Sequence, residues 1–287
     1  MQTKVSRGYG INAGGVDWPA RWRAKAEAKL ALRGAEELAR GAAHWDDRAD
    51  RFAGMARALD VDSDPLAVAI RSATRPTDRV LDIGAGAGRY TFAIAPLVER
   101  VTAVEPSRGM RSALRKDARA RGLENVAIVG TTWESAEVEP HDVSLVSSVL
   151  YFVVDGAEFL DKLDRCTTRA CYIFHRVEER ASALGELWRE LAADRPKENS
   201  FLDLYNLLFS MGIRANARVV RTGPSGRYAD LDEACADARQ LLDLHEVDPP
   251  TDARIRSYLS DTLVASNGKL QLPRGADIGI IWWEKGE

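Results

Sequence analysis

The stretch Val80-Leu-Asp-Ile-Gly-Ala-Gly-Ala-Gly-Arg89 decides how this chain is interpreted. Its apolar start predicts a short strand over Arg79–Ile83, and a helix is predicted to begin at Arg89. Three alternate glycines lie between the two elements. Glycine adopts positive φ angles and has no Cβ, so a ligand can approach such a backbone closely. The unpaired N–H groups of the helix N-terminus add hydrogen-bond donors. The stretch therefore predicts a ligand-binding strand–loop–helix unit.

Downstream of this unit, short apolar strands alternate with helical segments. Further strands are predicted over Val101–Val104, Val126–Val129, Asp142–Ser147, Ala170–His175, Ala215–Arg221 and Ile278–Trp283. Helices are predicted over Ser107–Arg121 and Gly156–Arg165, between these strands. Such alternation favours a parallel sheet with helices on both faces, and right-handed crossovers make it doubly wound.

The flanks of this alternating region have a different pattern. Residues Trp18 to about Leu59 show helical periodicity, and a second helix is predicted over Pro65–Ala73. After residue 175 the chain contains helical stretches at Ala181–Ala193 and Phe201–Met211, then two or three helices between 222 and 260. The tetrapeptide Ser266-Asn-Gly-Lys269 predicts a turn.

Two cofactor classes bind after a first strand of this kind, and the glycine spacing separates them. The dinucleotide fingerprint is G-x-G-x-x-G, but here Arg89 stands where the third glycine would be. Asp82 lies within the strand, where a carboxylate would repel a pyrophosphate and attract a cation. S-adenosylmethionine carries a sulfonium and an ammonium group. The residues therefore favour it over NAD.

The same residues resemble the first motif of the class I S-adenosylmethionine-dependent methyltransferases. The resemblance spans about residues 79 to 175. It implies an α/β fold with a doubly wound, mostly parallel seven-stranded sheet, the Rossmann-like methyltransferase fold. Residues 1–75 would form an N-terminal helical lid, with Trp45 and Phe52 over the cofactor. Residues 76–287 would form the methyltransferase domain, with a helical acceptor cap at about 181–212 and 222–262.

The resemblance also implies which residues bind S-adenosylmethionine and its product S-adenosylhomocysteine. Asp82 would order the glycine loop, and Glu105, at the end of the second strand, would bind the ribose diol. The alternative for Glu105 is a carboxylate that caps the helix at Ser107. The cofactor-binding candidates are Asp82, Gly84, Ala85, Gly86, Gly88, Glu105, Pro106, Met110, Thr132, Trp133 and Ser148.

Three of these candidates concern the adenine. Met110 matches a residue that packs on the ring in relatives, and plain core packing is its alternative. Trp133 would cover the adenine or fill the edge of the sheet. Thr132 matches the position of a polar residue that faces the adenine amino group. Many relatives have Asp there, which leaves the amino contact of Thr132 open.

Tyr151 and His175 are the catalytic candidates, because both follow strands that end near the expected methyl-transfer point. His175 could act as a general base, and a structural hydrogen bond is the alternative. For Tyr151 the alternative is core packing. Methyl transfer from a sulfonium is an in-line displacement, so the enzyme mainly positions the acceptor and excludes water. A base is needed only when the nucleophile must lose a proton.

The acceptor is expected to be a small molecule. The Asn/Asp-Pro-Pro-Tyr/Phe motif of DNA and glutamine N-methyltransferases does not follow Asp142, and the cap indicates an enclosed pocket. The alternatives are a methyltransferase of protein or RNA, and a protein that binds the cofactor without catalytic turnover. A nicotinamide oxidoreductase is a further alternative.

Composition supports these expectations. The chain has 287 residues and a formal net charge of −3, so no broad basic excess indicates a nucleic-acid partner. Its three cysteines form no C-x-x-C pair, and its four histidines are scattered, so no metal site is expected. No apolar run reaches the roughly 18 residues that span a bilayer, and no signal peptide is recognised. A cytoplasmic protein without a membrane partner is expected, and a homodimer is compatible with the sequence.

Overall fold

The computed structural model describes residues 15–31, 41–178, 184–191, 196–242, 244 and 246–286. Seven strands form the main sheet: β1 (Arg79–Ile83), β2 (Arg100–Val104), β3 (Val126–Val129), β4 (His141–Ser147), β5 (Thr167–Arg176), β6 (Asn216–Arg221) and β10 (Asp277–Glu284). Their spatial order is β3-β2-β1-β4-β5-β10-β6. Strands β1 to β5 pair in parallel, and β10 runs antiparallel to both β5 and β6. This confirms the predicted doubly wound, mostly parallel sheet.

Helices cover both faces of the sheet. They are α1 (Trp18–Leu30), α2 (Ala49–Arg57), α3 (Pro65–Ala73), α4 (Thr91–Ile94), α5 (Arg108–Ala120), α6 (Gly156–Arg165), α7 (Gly185–Leu191), α8 (Phe201–Ser210), α9 (Leu231–Leu241) and α10 (Pro249–Thr262). One core cluster joins α1, α6 and α8 to the sheet through residues such as Trp22, Leu163 and Leu207. A second cluster on the other face includes Ile70 of α3 and Ile94 of α4. All parallel strands therefore end at one edge of the sheet, where ligands bind in such folds.

The N-terminal part differs from the continuous helical pattern expected between Trp18 and about Leu59. Helix α1 ends at Leu30, and Gly41–Arg48 forms a 3-10 helix, here called the 3-10 segment, before α2 begins. Residues 32–40 lie outside the described part of the chain. Aspartate side chains compete with helical hydrogen bonding, and Asp46 binds the start of another helix, as described below.

The region after β6 contains strands that sequence reasoning missed. Helices are predicted between 222 and 260 and a turn at 266–269, but β7 (Ser225–Tyr228), β8 (Val264–Ser266) and β9 (Lys269–Leu272) form a three-stranded antiparallel sheet. Asn267 and Gly268 join β8 to β9 with φ angles of 49° and 73°, so the predicted turn is confirmed. Strands of three or four residues are too short for a legible alternation.

This small sheet, which we call the cap together with α7, α9 and α10, has its own core. The core contains Trp188, Tyr228, Cys235, Ile255 and Leu259, among other buried apolar residues. Helix α7 lies within the helix predicted over Ala181–Ala193, both ends of which fall outside the described residues.

Candidate active site

The glycine loop leaves β1 with three positive φ angles. They are 70° at Gly84, 56° at Gly86 and 93° at Gly88. A Cβ on Gly84 would lie 2.2 Å from Val149 Cγ2, and one on Gly88 would lie 2.7 Å from the Phe92 ring. Around the corresponding Cβ position of Gly86, no neighbouring atom of the described residues lies within 4 Å. Gly84 and Gly88 thus allow close internal packing, whereas Gly86 borders open space.

Two sets of hydrogen bonds hold this loop in place. The N–H groups of Gly84 and Ala85 both donate to the carbonyl oxygen of Val104, at 2.8 and 3.2 Å. The Thr91 hydroxyl donates to Asp82 Oδ2 at 2.6 Å, which ties β1 to α4 across the loop. Asp82 is buried, and this burial raises the pKa of its carboxyl group to about 6. The loop is therefore fixed from β2 on one side and from α4 on the other.

Glu105, directly after β2, binds the glycine loop from the opposite side. Its Oε2 accepts the Gly86 N–H at 2.8 Å, and its Oε1 accepts the Ser107 N–H at 2.7 Å. Burial raises the pKa of Glu105. Each carboxylate oxygen has two acceptor positions, so one on each oxygen is left for another donor. The bond to Ser107 agrees with the helix-capping interpretation, and the remaining positions suit a diol.

The 3-10 segment contacts the helix that follows Glu105. Asp46 Oδ1 accepts the Ser107 hydroxyl at 2.5 Å and the Gly109 N–H at 2.9 Å. A Cβ on Gly109 would lie 2.8 Å from Asp46 Cα, so the close approach requires glycine. Sequence reasoning missed Asp46, and its one signal was a carboxylate beside the Trp45 that had been assigned to the lid.

Pro106 and Met110 flank Ser107 and Gly109 in the chain. Met110 is buried in a cluster with Ala49 and Ala53 of α2, and Trp45 packs against the same cluster. The Pro106 carbonyl oxygen accepts a hydrogen bond from an Arg111 guanidinium N–H at 2.5 Å. The lid candidates Trp45 and Phe52 pack edge to face, with ring centroids 6.0 Å apart. Core packing accounts for the burial of Met110 without a ligand.

The two candidates after β3 lie in different environments. Thr132 is exposed. Trp133 is buried, its indole N–H donates to the Phe159 carbonyl oxygen at 3.2 Å, and Lys162 Nζ lies 4.5 Å from its ring centroid. The Trp133 ring therefore packs in the core beside α6, and its contact with the adenine stays a prediction.

After β4, Ser148 is exposed and strained, and Tyr151 is half-buried. Ser148 has a φ angle of 59°, one of two positive φ angles at non-glycine residues in the described chain. Such strain is typical of functional sites. The Tyr151 hydroxyl oxygen accepts the Arg176 N–H at 2.5 Å, and its ring stacks on His175 with centroids 4.4 Å apart. Burial raises the pKa of Tyr151.

His175 is held in one tautomer at the end of β5. Its Nε2 lies 2.7 Å from the Asn199 carbonyl oxygen, which can only accept, so Nε2 carries the proton. Its Nδ1 is buried and has no hydrogen-bond partner among the described residues. Burial lowers the pKa of His175 to about 4.

Residues distant in sequence complete the surroundings of His175. Trp22 lies with its ring centroid 6.4 Å from His175, and its indole N–H donates to the Val153 carbonyl oxygen at 2.9 Å. The Asn199 side-chain amide donates to the Trp22 carbonyl oxygen at 3.1 Å. Sequence reasoning missed both Trp22 and Asn199, because nothing in a single sequence pairs residues so far apart.

A cavity of about 360 Å³ opens beside Tyr151. It lies between α1, the end of β5 and the start of α8, and its walls include Trp18, Arg176, Asn199 and Asp203. Among the described residues, no three His, Cys, Asp or Glu side chains are grouped as metal ligands would be. No described helix has the length and apolar character needed to cross a bilayer.

Known proteins resemble this chain in sequence and in fold. A family described as a methyltransferase domain matches residues 80–170. The 23S rRNA (uracil(1939)-C(5))-methyltransferase RlmD of Chromohalobacter salexigens is 38% identical over 73 residues, which are 24% of this chain and 15% of that enzyme. The chain thus spans a small fraction of that enzyme's length.

Solved structures of other proteins share the fold. The YcgJ protein of Bacillus subtilis has a TM-score of 0.52 and 18% identity, with 77% of this chain and 98% of that protein covered. A protein of Bacillus halodurans C-125, described provisionally as a methyltransferase, has a TM-score of 0.52 and 14% identity over 78% of this chain and 99% of that one. The sequence match thus indicates a methyltransferase domain over residues 80–170, and the two solved structures share the fold that the sheet order shows.

Proposed function

We propose that this chain transfers the methyl group of S-adenosylmethionine to a small-molecule acceptor. The observation that carries the proposal is the pairing of Gly86 with Glu105 at the carboxyl edge of the sheet. Gly86 borders open space at a φ of 56°, and its N–H is held by the Glu105 carboxylate at 2.8 Å. A side chain at Gly86 would fill the space that the pairing leaves for a ligand.

These residues fit the cofactor chemically. Glu105 would bind the ribose diol with its remaining acceptor positions, since charge-assisted hydrogen bonds of this type are strong. Gly84, Ala85, Gly86 and Gly88 would line the methionine part, with Asp82 ordering the loop beneath them. When bound, S-adenosylmethionine supplies a methyl group activated by the sulfonium.

The adenine contacts remain part of the proposal. Pro106, Met110 and Thr132 would border the base, with Trp133 supporting that wall from the core through its bond to Phe159. Ser148, at the end of β4, would face the cofactor from the neighbouring strand, because the carboxyl ends of parallel strands share one edge.

On the acceptor side, His175 and Tyr151 would position the nucleophile. His175 has a pKa of about 4, so it is neutral at pH 7 and a weak base, but its Nδ1 can accept a hydrogen bond from an N–H or O–H group. Burial raises the Tyr151 pKa, so this phenol is a neutral hydrogen-bond donor. Positioning and exclusion of water are the main requirements of an in-line displacement. The cavity beside Tyr151, at about 360 Å³, is of the size of a small-molecule site.

An RNA acceptor is the second candidate, because the 73-residue match is to an enzyme that methylates 23S rRNA. Arg108, Arg115 and Arg119 are exposed on one face of α5, as RNA binding would require. The small net charge of −3 counts against it. Transfer of radiolabelled methyl groups into ribosomal RNA, with none into small molecules, would replace the primary proposal by this one.

The matched substitutions Gly86→Ala and Gly122→Ala test the cofactor site. Both positions have positive φ angles, 56° and 66°, and within the described part of the chain neither Cβ would meet a neighbouring atom within 4 Å. Each alanine therefore carries a similar backbone strain of about 1 kcal/mol, but only Gly86 lies in the loop. We expect Gly86→Ala to weaken S-adenosylmethionine binding at least about tenfold in calorimetry, and Gly122→Ala to leave it unchanged. Equal affinities in the two variants would contradict the assignment of the loop.

Calorimetry on the unaltered chain separates the remaining alternatives. Binding of NADH without binding of S-adenosylmethionine would exclude a methyltransferase. Tight binding of S-adenosylmethionine without methyl transfer to any small molecule, protein or RNA would support a cofactor-binding protein without turnover.

A further inference from the structure

Lys162 of α6 holds the loop that follows β3 with three hydrogen bonds. Its Nζ donates to the backbone carbonyl oxygens of Trp133 at 2.5 Å, Ala136 at 2.6 Å and Glu134 at 3.1 Å. An ammonium group has three N–H donors, so all of them are used here. The same Nζ lies 4.5 Å from the centroid of the Trp133 ring. One half-buried lysine thus fixes the path of residues 133–136.

The backbone of this loop contributes little to its own conformation. Residues 130–140, all within the described chain, contain neither helix nor strand. Over residues 131–136, the backbone N–H groups make one hydrogen bond to a described residue, from Ala136 to the Trp133 carbonyl oxygen at 3.2 Å. The conformation of the loop therefore depends on Lys162, which lies on a different element of the fold.

The bonds to Lys162 also determine what the loop can offer to a ligand. They occupy carbonyl oxygens, which are acceptors. The backbone N–H groups of Thr132 and Trp133 donate to no acceptor among the described residues. Thr132 is exposed and directly precedes the residues that Lys162 holds. The loop is therefore a source of hydrogen-bond donors just beyond the end of β3.

Arg111 places the start of this loop beside Pro106. One of its guanidinium nitrogens donates to the carbonyl oxygens of Glu105 at 2.9 Å and Pro106 at 2.5 Å. A Cβ on Gly130 would lie 3.0 Å from Arg111 Nε, so the chain leaving β3 passes directly against the same guanidinium group. The loop thus begins next to the two residues that would border the ribose and the base.

We propose that Lys162 is a positioning residue for recognition of the adenine base. By holding three carbonyl oxygens, it sets the loop so that the N–H groups of Thr132 and Trp133 face the edge of the base, where adenine presents a ring-nitrogen acceptor. Lys162 itself does not touch the ligand. This inference rests on the proposed function, because it concerns the adenine of S-adenosylmethionine.

The test compares S-adenosylhomocysteine with S-inosylhomocysteine on the full chain. The base of the inosyl compound has an N–H donor where adenine has that ring acceptor, and an oxygen in place of the amino group. A loop N–H that bonds to adenine therefore meets another donor in the inosyl compound. We expect calorimetry to show at least about tenfold tighter binding of S-adenosylhomocysteine, the scale of one hydrogen bond.

Two variants of Lys162 test its role in this preference. Lys162→Met fills a similar volume but releases the three carbonyl oxygens, and it should reduce the preference to about twofold or less. Lys162→Gln keeps two donors on a shorter side chain, and it should leave an intermediate preference of about threefold to fivefold. A lysine that only stabilised the fold would change the affinities for both ligands by the same factor.

Lys285→Met is the matched control. Lys285 is also half-buried, and its Nζ donates to a backbone carbonyl oxygen, that of Asp164, at 3.0 Å. Its hydrogen bonds and ion pair are made with Asp164 and not with the loop after β3. Lys285→Met should therefore keep the full preference for S-adenosylhomocysteine, even if the chain loses stability.

Full preference in a folded Lys162→Met variant would overturn the inference, as would equal binding of the two ligands by the unaltered chain or an equal loss of preference in Lys285→Met. If Lys162→Met does not fold, Lys162→Gln decides, and an unchanged preference there overturns the inference. If neither variant folds, Lys162 serves the fold as a whole, and the positioning role is likewise overturned.

The failure of this inference is distinguishable from the failure of the proposed function. If S-adenosylhomocysteine binds and the preference does not depend on Lys162, only the positioning role is wrong. If the unaltered chain binds neither ligand, the methyltransferase function falls, and the role of Lys162 falls with it.

Discussion

The proposed cofactor side and the proposed acceptor side of the sheet edge are built in different ways. On the cofactor side, the site is formed mainly by backbone. Three glycines have positive φ angles, and loop N–H groups donate to Val104 and Glu105. On the acceptor side, side chains from α1, β5 and residues 196–203 meet around Tyr151 and His175. The first is local, within residues 80–110. The second joins residues as distant as Asn199 and Trp22.

This difference predicts which substitutions change ligand affinity and which change folding stability. A local backbone site depends on glycine and on a few hydrogen bonds, so changes at Gly86 and Glu105 should alter ligand affinity more than folding. A site assembled from distant elements depends on core packing, so changes there should alter folding as well. The following substitutions test that comparison.

The largest expected effect is from Trp22→Ala on the acceptor side. Trp22 is 1% exposed and packs against α6 and His175. Removing a buried indole of this kind lowers the free energy of unfolding by about 3–5 kcal/mol. Trp45→Ala, at a half-buried tryptophan on the cofactor side, is the matched control and should cost clearly less. Urea denaturation of both variants measures the difference, and equal losses would argue against the comparison.

His175→Gln should change the pH dependence of stability. The usual pKa of 6.5 falls to about 4 in the folded protein, mainly through burial. The unfolded chain therefore binds the extra proton first, and stability is lost as pH falls from about 6.5 to 4. This amounts to roughly 3 kcal/mol. Denaturation at pH 4 and pH 7 should show a smaller acid-induced loss in His175→Gln than in the unaltered chain. An identical loss would contradict the buried, neutral state of His175.

Asp82→Asn should change the pH dependence of stability in the opposite direction to His175→Gln. Burial raises the pKa of Asp82 from 3.8 to about 6, and the nearby charge of Glu105 also raises it. The folded state binds the extra proton, so stability is present below pH 3.8 and is lost as pH rises to about 6, again by roughly 3 kcal/mol. The free energy of unfolding of Asp82→Asn should therefore exceed that of the unaltered chain by more at pH 7 than at pH 4. Asp261→Asn, at an exposed carboxylate, is the control. The same dependence of stability on pH in both variants would refute the prediction.

The smallest expected effect on free energy is that of Glu105→Gln on cofactor affinity. Loss of the charge-assisted bonds to a ribose diol should weaken S-adenosylmethionine binding about tenfold, or about 1.4 kcal/mol. Glu124→Gln, at an exposed glutamate, is the control. Because Glu105 also accepts two backbone N–H groups, melting temperatures of both variants are needed. Unchanged affinity in a folded Glu105→Gln variant would remove the ribose assignment.

The same contrast explains what could be predicted from the sequence. The glycine loop and the positions of the parallel strands follow from local periodicity and from the conformational freedom of glycine, and the structure has the strands where they were expected. The turn at Asn267-Gly268 could also be predicted, because asparagine and glycine adopt the positive φ angles that it requires.

Other features depended on tertiary contacts. The aromatic ring of Trp133 packs in the core because Phe159 and Lys162 of α6 lie beside it. The role of Asp46 depends on the absence of a side chain at Gly109, 63 residues away. The short strands of the cap are formed by pairing between β7 and β9 rather than by strong local propensity. A pattern within one sequence does not predict which of these distant residues contact each other.

Ser107 contacts both the N-terminal region and the cofactor side, and this has a thermodynamic consequence. Its hydroxyl donates to Asp46 of the 3-10 segment, and its N–H donates to Glu105. A ligand that orders Glu105 orders Ser107 as well, so docking of the segment and binding of the ligand are linked equilibria. Linkage is reciprocal: the ligand should slow amide hydrogen exchange in residues 41–57, and loss of that segment should weaken ligand binding by the same factor. Amide protection in the 3-10 segment and α2 is thus expected to follow the fraction of the chain that has ligand bound.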